Sequence, residues 1–149
     1  MKQWTLQFDG ASKGILGVVG GGGILINLEG NIEAIYAWGQ GRKTNNQAKA
    51  YGLFLGLSLA QKKDIRKIQV LGDLMLITKH MKYNSSANNM NLNQIIQRSQ
   101  GMIHLFYLVS FFHILRGNNP EADKQANFAY QFYAERSIVN EIEETLCIP

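Results

Sequence analysis

Polar and apolar residues alternate through Gln3-Trp4-Thr5-Leu6-Gln7-Phe8, a period of two that predicts a strand ending at Asp9-Gly10. A glycine-rich stretch from Gly14 to about Gly21 reads as a loop. Gly23-Ile24-Leu25-Ile26-Asn27-Leu28 reads as a second strand, and Glu29-Gly30-Asn31 as a hairpin turn, because Gly and Asn tolerate positive φ. Ile32 to Trp38 alternates again and predicts a third strand. The first third of the chain is therefore expected to be an antiparallel meander. The period then changes. Thr44 is a plausible N-cap, and from Asn46 to Ala60 the residues Ala48, Tyr51, Leu55 and Leu59 recur at helical spacing, with Leu53 and Leu57 widening the apolar face. Gln61-Lys62-Lys63-Asp64 closes this helix with positive charge, as the helix dipole prefers.

Lys67 to Leu71 predicts a short strand ending at Gly72-Asp73, followed by a helix from Leu74 to Met81. Tyr83 to Asn91 is polar and reads as a loop. Leu92 to about Phe106 is helical again, and Leu108 to Leu115 predicts the last strand. Arg116-Gly117-Asn118-Asn119-Pro120 is a turn, and Pro120 fits the first turn of a final helix running past Ala126, Ala129 and Phe132. No internal repeat or linker is visible. The order β-β-β-α-β-α-α-β-α describes an α/β fold. Its expected five-stranded mixed sheet is an antiparallel meander plus two parallel strands, with helices on both faces.

At 149 residues the chain suits one domain, residues 1–149, with a core at about 3–135 and a C-terminal tail at about 136–149. A hydrophobic fraction of 46% excludes disorder, and two prolines exclude collagen-like classes. The single Cys147 has no internal disulfide partner, so a reducing, intracellular compartment is expected. The most apolar stretch, Met102 to Leu115, is broken by His104, Ser110 and His113 and falls short of the roughly 20 residues a bilayer requires, so no membrane association is expected. Met1-Lys2 runs straight into the predicted first strand, so no signal peptide is expected there. That start fits either a minimal protein or a piece of a larger polypeptide. A net charge of +4 leans toward a polyanionic partner, though charge alone is weak support.

Three aspartates occupy comparable places. Asp9 ends the first strand, Asp73 follows the fourth, and Asp123 lies in the first turn of the last helix. Parallel strands bring their carboxyl ends to one sheet edge, where sites usually form. If strands one and four are adjacent and parallel, Asp9 and Asp73 meet there, and the returning helix can add Asp123. Clustered carboxylates repel one another unless a cation joins them, and hard oxygen ligands suit Mg²⁺ or Mn²⁺. Each aspartate also has an ordinary structural explanation, as a strand-ending turn or at a helix N-terminus.

Four segments narrow the choice. Phe8-Asp9-Gly10-Ala11-Ser12-Lys13-Gly14 with its following glycines, Thr44-Asn45-Asn46-Gln47-Ala48-Lys49-Ala50-Tyr51, Leu71-Gly72-Asp73-Leu74, and His113-x-x-Arg116-x-x-Asn119-x-x-Ala122-Asp123 with Ala126-Asn127 occur in order. Together they resemble the type-one ribonuclease H family, in particular its plant and retroelement branch. The resemblance spans residues 8 to 127. It implies a ribonuclease H-like fold and endonucleolytic hydrolysis of RNA in RNA–DNA hybrids by two-metal chemistry. Asp9, Asp73 and Asp123 would hold Mg²⁺ or Mn²⁺. It also implies that Gly10, Ser12, Thr44, Asn45 and Asn46 meet the nucleic acid. The alternative is a non-catalytic RNA–DNA hybrid- or RNA-binding module of the same fold.

One position departs from the pattern. Where the family places a catalytic glutamate, this chain has Lys49, a swing of two charge units beside the expected metal positions. Lys49 opposes metal binding and could pair with Asp9 or Asp73 in place of a cation, so activity is expected to be impaired. Neither Glu121 nor Glu29 nor Glu33 is placed to substitute for the glutamate. His113 reads as a histidine packed at a strand end rather than a proton shuttle, and His80 and His104 read as structural. Lys13, Arg42 and Lys43 flank the binding loops. Lys62, Lys63, Arg66 and Lys67 form a denser basic group that reads as a solvated face. The run Gly20 to Gly23 lacks the Gly-Lys-Ser or Gly-Lys-Thr of a phosphate loop and is better explained by close passage of the chain. Trp38, Tyr51, Phe54, Phe106, Phe111 and Phe112 are expected to be mostly core.

Overall fold

Nine regular elements carry the described chain, and the alternation that predicted the first strand fixes the central one. The computed structural model describes residues 3–13, 18–42, 44–122 and 144–148. The strands are β1 (Trp4–Lys13), β2 (Val18–Ile26), β3 (Ile32–Arg42), β4 (Lys67–Gly72), β5 (Leu108–His113) and β6 (Glu144–Ile148). The helices are α1 (Asn45–Lys62), α2 (Met75–Tyr83) and α3 (Met90–Gln100). The strands form one sheet in the order β5-β4-β1-β2-β3-β6. β1 pairs parallel with β4, and β4 pairs parallel with β5. The meander β1-β2-β3 is antiparallel. The expected five-stranded mixed sheet is thus present. A sixth strand, from the segment read as a tail, extends it antiparallel beside β3.

The meander strands are longer than the alternation predicted. β1 continues through Lys13 because Ala11, Ser12 and Lys13 stay in register with Gly20, Val19 and Val18. The expected loop from Gly14 to about Gly21 is therefore shortened, and Gly20 to Gly23 lie inside β2. There they sit opposite Ala11, Gly10, Asp9 and Phe8 in turn. At Gly21 the lack of a side chain lets α1 approach: a Cβ there would lie 2.8 Å from the Gly52 nitrogen. The Tyr36 hydroxyl donates to the Gly52 carbonyl at 2.7 Å, anchoring the same contact.

One apolar cluster joins the sheet to all three helices. Leu6, in register with Leu25 and Val70, is buried with Leu53 and Leu57 of α1, Ile77 of α2 and Ile96 of α3. Each such side chain contributes about 1.5–3 kcal/mol of transfer free energy. Phe111 belongs to this cluster, whereas Phe112, on the other side of the β5 pleat, is exposed. The helix ends follow local chemistry. Asn89 accepts from the Leu92 N–H at 2.9 Å and starts α3 two residues earlier than predicted. α3 ends at Gln100 rather than near Phe106, since a short 3₁₀ turn at Ile103–Leu105 follows. β5 stops at His113 because the chain then turns through a second 3₁₀ segment, Arg116–Asn118. Residues 120–122 are helical, as expected after Pro120; the rest of that predicted helix lies outside the described residues. No described helix is long and apolar enough to cross a membrane.

Candidate functional site

β1 and β4 run side by side only as far as Gln7 and Leu71. Beyond that pairing Asp9 and Asp73 stand at one sheet edge, as the parallel-strand argument requires. α1 delivers the third group. Thr44 caps it through a capping box: the Gln47 N–H donates to Thr44 Oγ1 at 3.2 Å and the Thr44 N–H donates to Gln47 Oε1 at 2.9 Å. The helix start is held against β1 by glycines, since a Cβ on Gly10 would collide with the backbone of Ala48 and Lys49, and one on Gly52 with the Asp9 carbonyl. Four residues after Asn45, Lys49 therefore points its chain into the gap between the two aspartates.

The result is a tight ionic triad. Lys49 Nζ lies 2.6 Å from Asp73 Oδ1 and 3.2 Å from Asp9 Oδ1. The aspartate side chains are 1% and 2% exposed, and Lys49 is 15% exposed. The Gly10 N–H also donates to Asp9 Oδ1 at 2.8 Å. Burial pushes the Asp9 carboxyl up from 3.8 to about 6, against the opposing pull of Lys49 and the Gly10 N–H. Burial alone would lower the Lys49 ammonium. Its hydrogen bond to Asp73 and the charges of both aspartates outweigh that and hold it above its ordinary 10.5. The Oδ2 atoms of Asp9 and Asp73 are buried without a hydrogen-bond partner among the described residues.

The remaining expected site residues fall around this triad. Gly10 is buried beside Asp9, and Ser12 lies further along β1. Thr44 and Asn46 are exposed at the start of α1, and Asn45 is its first residue. Asp123 lies outside the described residues. His113 ends β5 with Nε2 3.2 Å from the Asp73 carbonyl, in keeping with a packed strand-end role. His80 is buried against the Ser85 hydroxyl at 2.7 Å, and His104 is exposed. Lys62, Lys63 and Arg66 are exposed at the far end of α1, away from the triad. One positioning residue went unassigned in the sequence. Asn119 is fully buried, and its side-chain amide donates to the Phe8 carbonyl at 2.9 Å, tying the turn before 120–122 to the residue preceding Asp9. Its place in the His113-x-x-Arg116-x-x-Asn119 spacing was the available signal.

A mixed sheet of this order, with two aspartates just past the end of the β1–β4 pairing and the first helix laid across them, defines a ribonuclease H-like protein. Residues 7–129 match the reverse transcriptase-like family, and the chain belongs to it. Ribonuclease HI of Halobacterium salinarum is 33% identical over 122 residues, which cover 82% of this chain and 61% of the relative; the chain therefore spans under two thirds of that relative's length. The crystal structure of RNase H1 from the same archaeon superposes with a TM-score of 0.81 at 31% identity, covering 87% of this chain and 98% of that one. The N-terminal RNase H domain of a Mycobacterium tuberculosis protein superposes with a TM-score of 0.85 at 26% identity, covering 93% and 100% of the two chains. An RNase H1 isolated from compost, solved in complex with RNA/DNA hybrid, shares the fold with a TM-score of 0.80 at 22% identity, covering 89% and 99%.

Ribonucleases H generally use divalent metal ions. The described residues here do not fit one between Asp9 and Asp73. The space that such an ion would share between the two Oδ1 atoms holds the Lys49 ammonium, within hydrogen-bond distance of both. Among the described residues no group of three or more His, Cys, Asp or Glu side chains is placed to hold a metal.

Proposed function

We propose that this chain is an RNA–DNA hybrid-binding module of the ribonuclease H fold whose hydrolytic centre is neutralised by its own lysine. One observation carries the reading: Lys49 Nζ stands 2.6 and 3.2 Å from the two aspartates. It takes the place of the cation that would otherwise join them. The electrostatics favour binding over cleavage. Asp9 and Asp73 alone would set two negative charges against an incoming phosphate backbone. Lys49 cuts that to one, whereas a glutamate there would raise it to three and make metal obligatory for approach. Thr44, Asn45 and Asn46 sit at a capped helix start beside the triad. Short amide side chains suit the minor groove of a hybrid, which displays 2′-hydroxyls and base edges and can be read without sequence demands. Hybrid binding by a relative of the same fold supports the substrate class.

A second reading keeps hydrolysis at a reduced level with Mg²⁺ or Mn²⁺. It is favoured by the retention of Asp9 and Asp73 with unpartnered Oδ2 atoms. One comparison separates the two. Labelled hybrid is titrated by anisotropy in EDTA across a salt series, then incubated with Mg²⁺ and with Mn²⁺, for the chain and for Lys49→Glu. The module reading expects metal-independent, salt-sensitive binding and no cleavage by the chain, with cleavage appearing in Lys49→Glu and vanishing again when Asp73→Asn is added. Cleavage by the unaltered chain that Asp73→Asn abolishes establishes the second reading instead.

A further inference from the structure

Beyond Asp73 the surface continues into a pocket that hybrid recognition at α1 does not use. It lies between α2 and β5, has a volume of about 270 Å³, and is bounded by Met75, Thr78, Tyr83, Phe111 and Phe112, with Lys79 and Lys82 beside them. His113 belongs both to this pocket and to the triad's edge, through its contact with the Asp73 carbonyl. The size is just below that of drug-sized ligand sites, which run from roughly 300 to 1,000 Å³, and suits a single flat ring system.

Its chemistry is two-part. Tyr83 is 67% exposed, Met75 57% and Phe112 48%, so aromatic and thioether surface lies open to solvent at the mouth. Both lysines are exposed, and Lys82 Nζ stands 5.8 Å above the Tyr83 ring, setting a cation next to an aromatic face. Neither α2 nor β5 contains an acidic residue. Among the described residues no ion pair engages Lys79 or Lys82. Apolar planes with adjacent unneutralised cations match a nucleobase joined to its phosphate, the pairing on which single-strand binding surfaces rely. A duplex cannot present a base face sideways, so the occupant must be unpaired.

We propose that this α2–β5 pocket binds one unstacked nucleotide of a single-stranded extension continuing from a hybrid held at the Asp9–Lys49–Asp73 edge. The base packs on Tyr83 and Met75 at the mouth, with Phe112 at its rim, and Lys79 and Lys82 meet its flanking phosphates. This rests on the hybrid-binding reading above and names a further element of its substrate: a junction between hybrid and single strand rather than uniform duplex.

The test compares blunt hybrid with hybrids bearing a four-nucleotide RNA or DNA overhang at either end, by anisotropy in EDTA. One overhang polarity is expected to tighten binding about tenfold, in line with one stacked base. Tyr83→Ala with Phe112→Ser, or the milder Lys79→Gln with Lys82→Gln, removes that gain, while blunt-hybrid affinity in moderate salt stays within about twofold of the parent. These residues are exposed, so the variants are expected to fold, which circular dichroism checks. A 5-iodouracil in the overhang is expected to photocrosslink to Tyr83. Equal binding of blunt and extended hybrids overturns the proposal, as does a gain that survives both pairs of substitutions. So does occupation of the pocket by an acidic, aromatic peptide where overhangs bind no better. If blunt hybrid fails to bind at all, the hybrid-binding reading falls. A 5-iodouracil-labelled RNA hexamer then tests the pocket by itself: crosslinking at Tyr83 upholds its single-strand character, and no crosslink refutes it.

Discussion

Replacing Lys49 by Met tests whether its ammonium is the cation of this site. The side chain keeps its length and loses its charge. In the folded chain that charge lies 2.6 and 3.2 Å from two aspartates that are 2% and 1% exposed. At an effective dielectric of 20, each of these attractions amounts to roughly 5–6 kcal/mol before desolvation is subtracted. Removing one partner of a buried ionic group leaves the others uncompensated and typically costs 3–5 kcal/mol. In a domain of this size each kcal/mol moves the melting temperature by roughly 2–4 °C, so Lys49→Met should melt about 6–20 °C lower at pH 7.5. The loss should shrink at pH 5. Asp9 already sits near 6, and without Lys49 it moves higher, so the variant sheds one of its two stranded charges by taking up a proton. Urea unfolding followed by circular dichroism at both pH values reads the difference. A variant as stable as the parent at pH 7.5, or one that loses as much at pH 5 as at pH 7.5, refutes the argument that Lys49 holds the aspartates together.

The same carboxyl gives the parent chain a pH signature. The folded pKa of Asp9 is raised from 3.8 to about 6, so the folded state binds this proton more tightly than the unfolded state. Its contribution is complete below pH 4 and declines by up to about 3 kcal/mol as pH rises to 6; Asp9→Asn should flatten that slope in urea titrations. Lys49→Glu should invert the metal response: in EDTA it is expected to be less stable than the parent, and millimolar Mg²⁺ should raise its melting temperature while leaving the parent's unchanged. Asn119→Ala deletes the donor to the buried Phe8 carbonyl and should cost about 1–3 kcal/mol in unfolding free energy. Gly10→Ala forces a methyl into the Ala48–Lys49 backbone and should lower stability by about 1–3 kcal/mol or more, with weakened hybrid binding as the helix start shifts.

Much of this protein was legible along the chain. Period-two alternation marked β1 and β3, helical spacing marked α1, and Thr44 marked its capped start, because each of these signals is local and acts within a few residues. The aspartates were legible too, once strands one and four were taken as parallel neighbours, since a parallel pair puts both carboxyl ends at one edge. The motifs around them pointed to the family. The departure at residue 49 was also a fact of sequence alone.

What the tertiary structure decided is where that lysine goes. A helical residue four places after Asn45 could face solvent or pair with one aspartate. It bridges both because Gly10, Gly21 and Gly52 let α1 press onto the meander, and such an approach depends on residues more than thirty positions apart. The strand limits were set in the same way. Glycines carry no alternation, so the passage of Gly20 to Gly23 through β2 became visible only from their register against β1. β6 had no local signature, as an edge strand is defined by the partner it joins. Phe112 and the α2–β5 pocket follow the same rule. Apolar periodicity assigns a side chain to a face, and only the packing of neighbouring elements determines whether that face is covered.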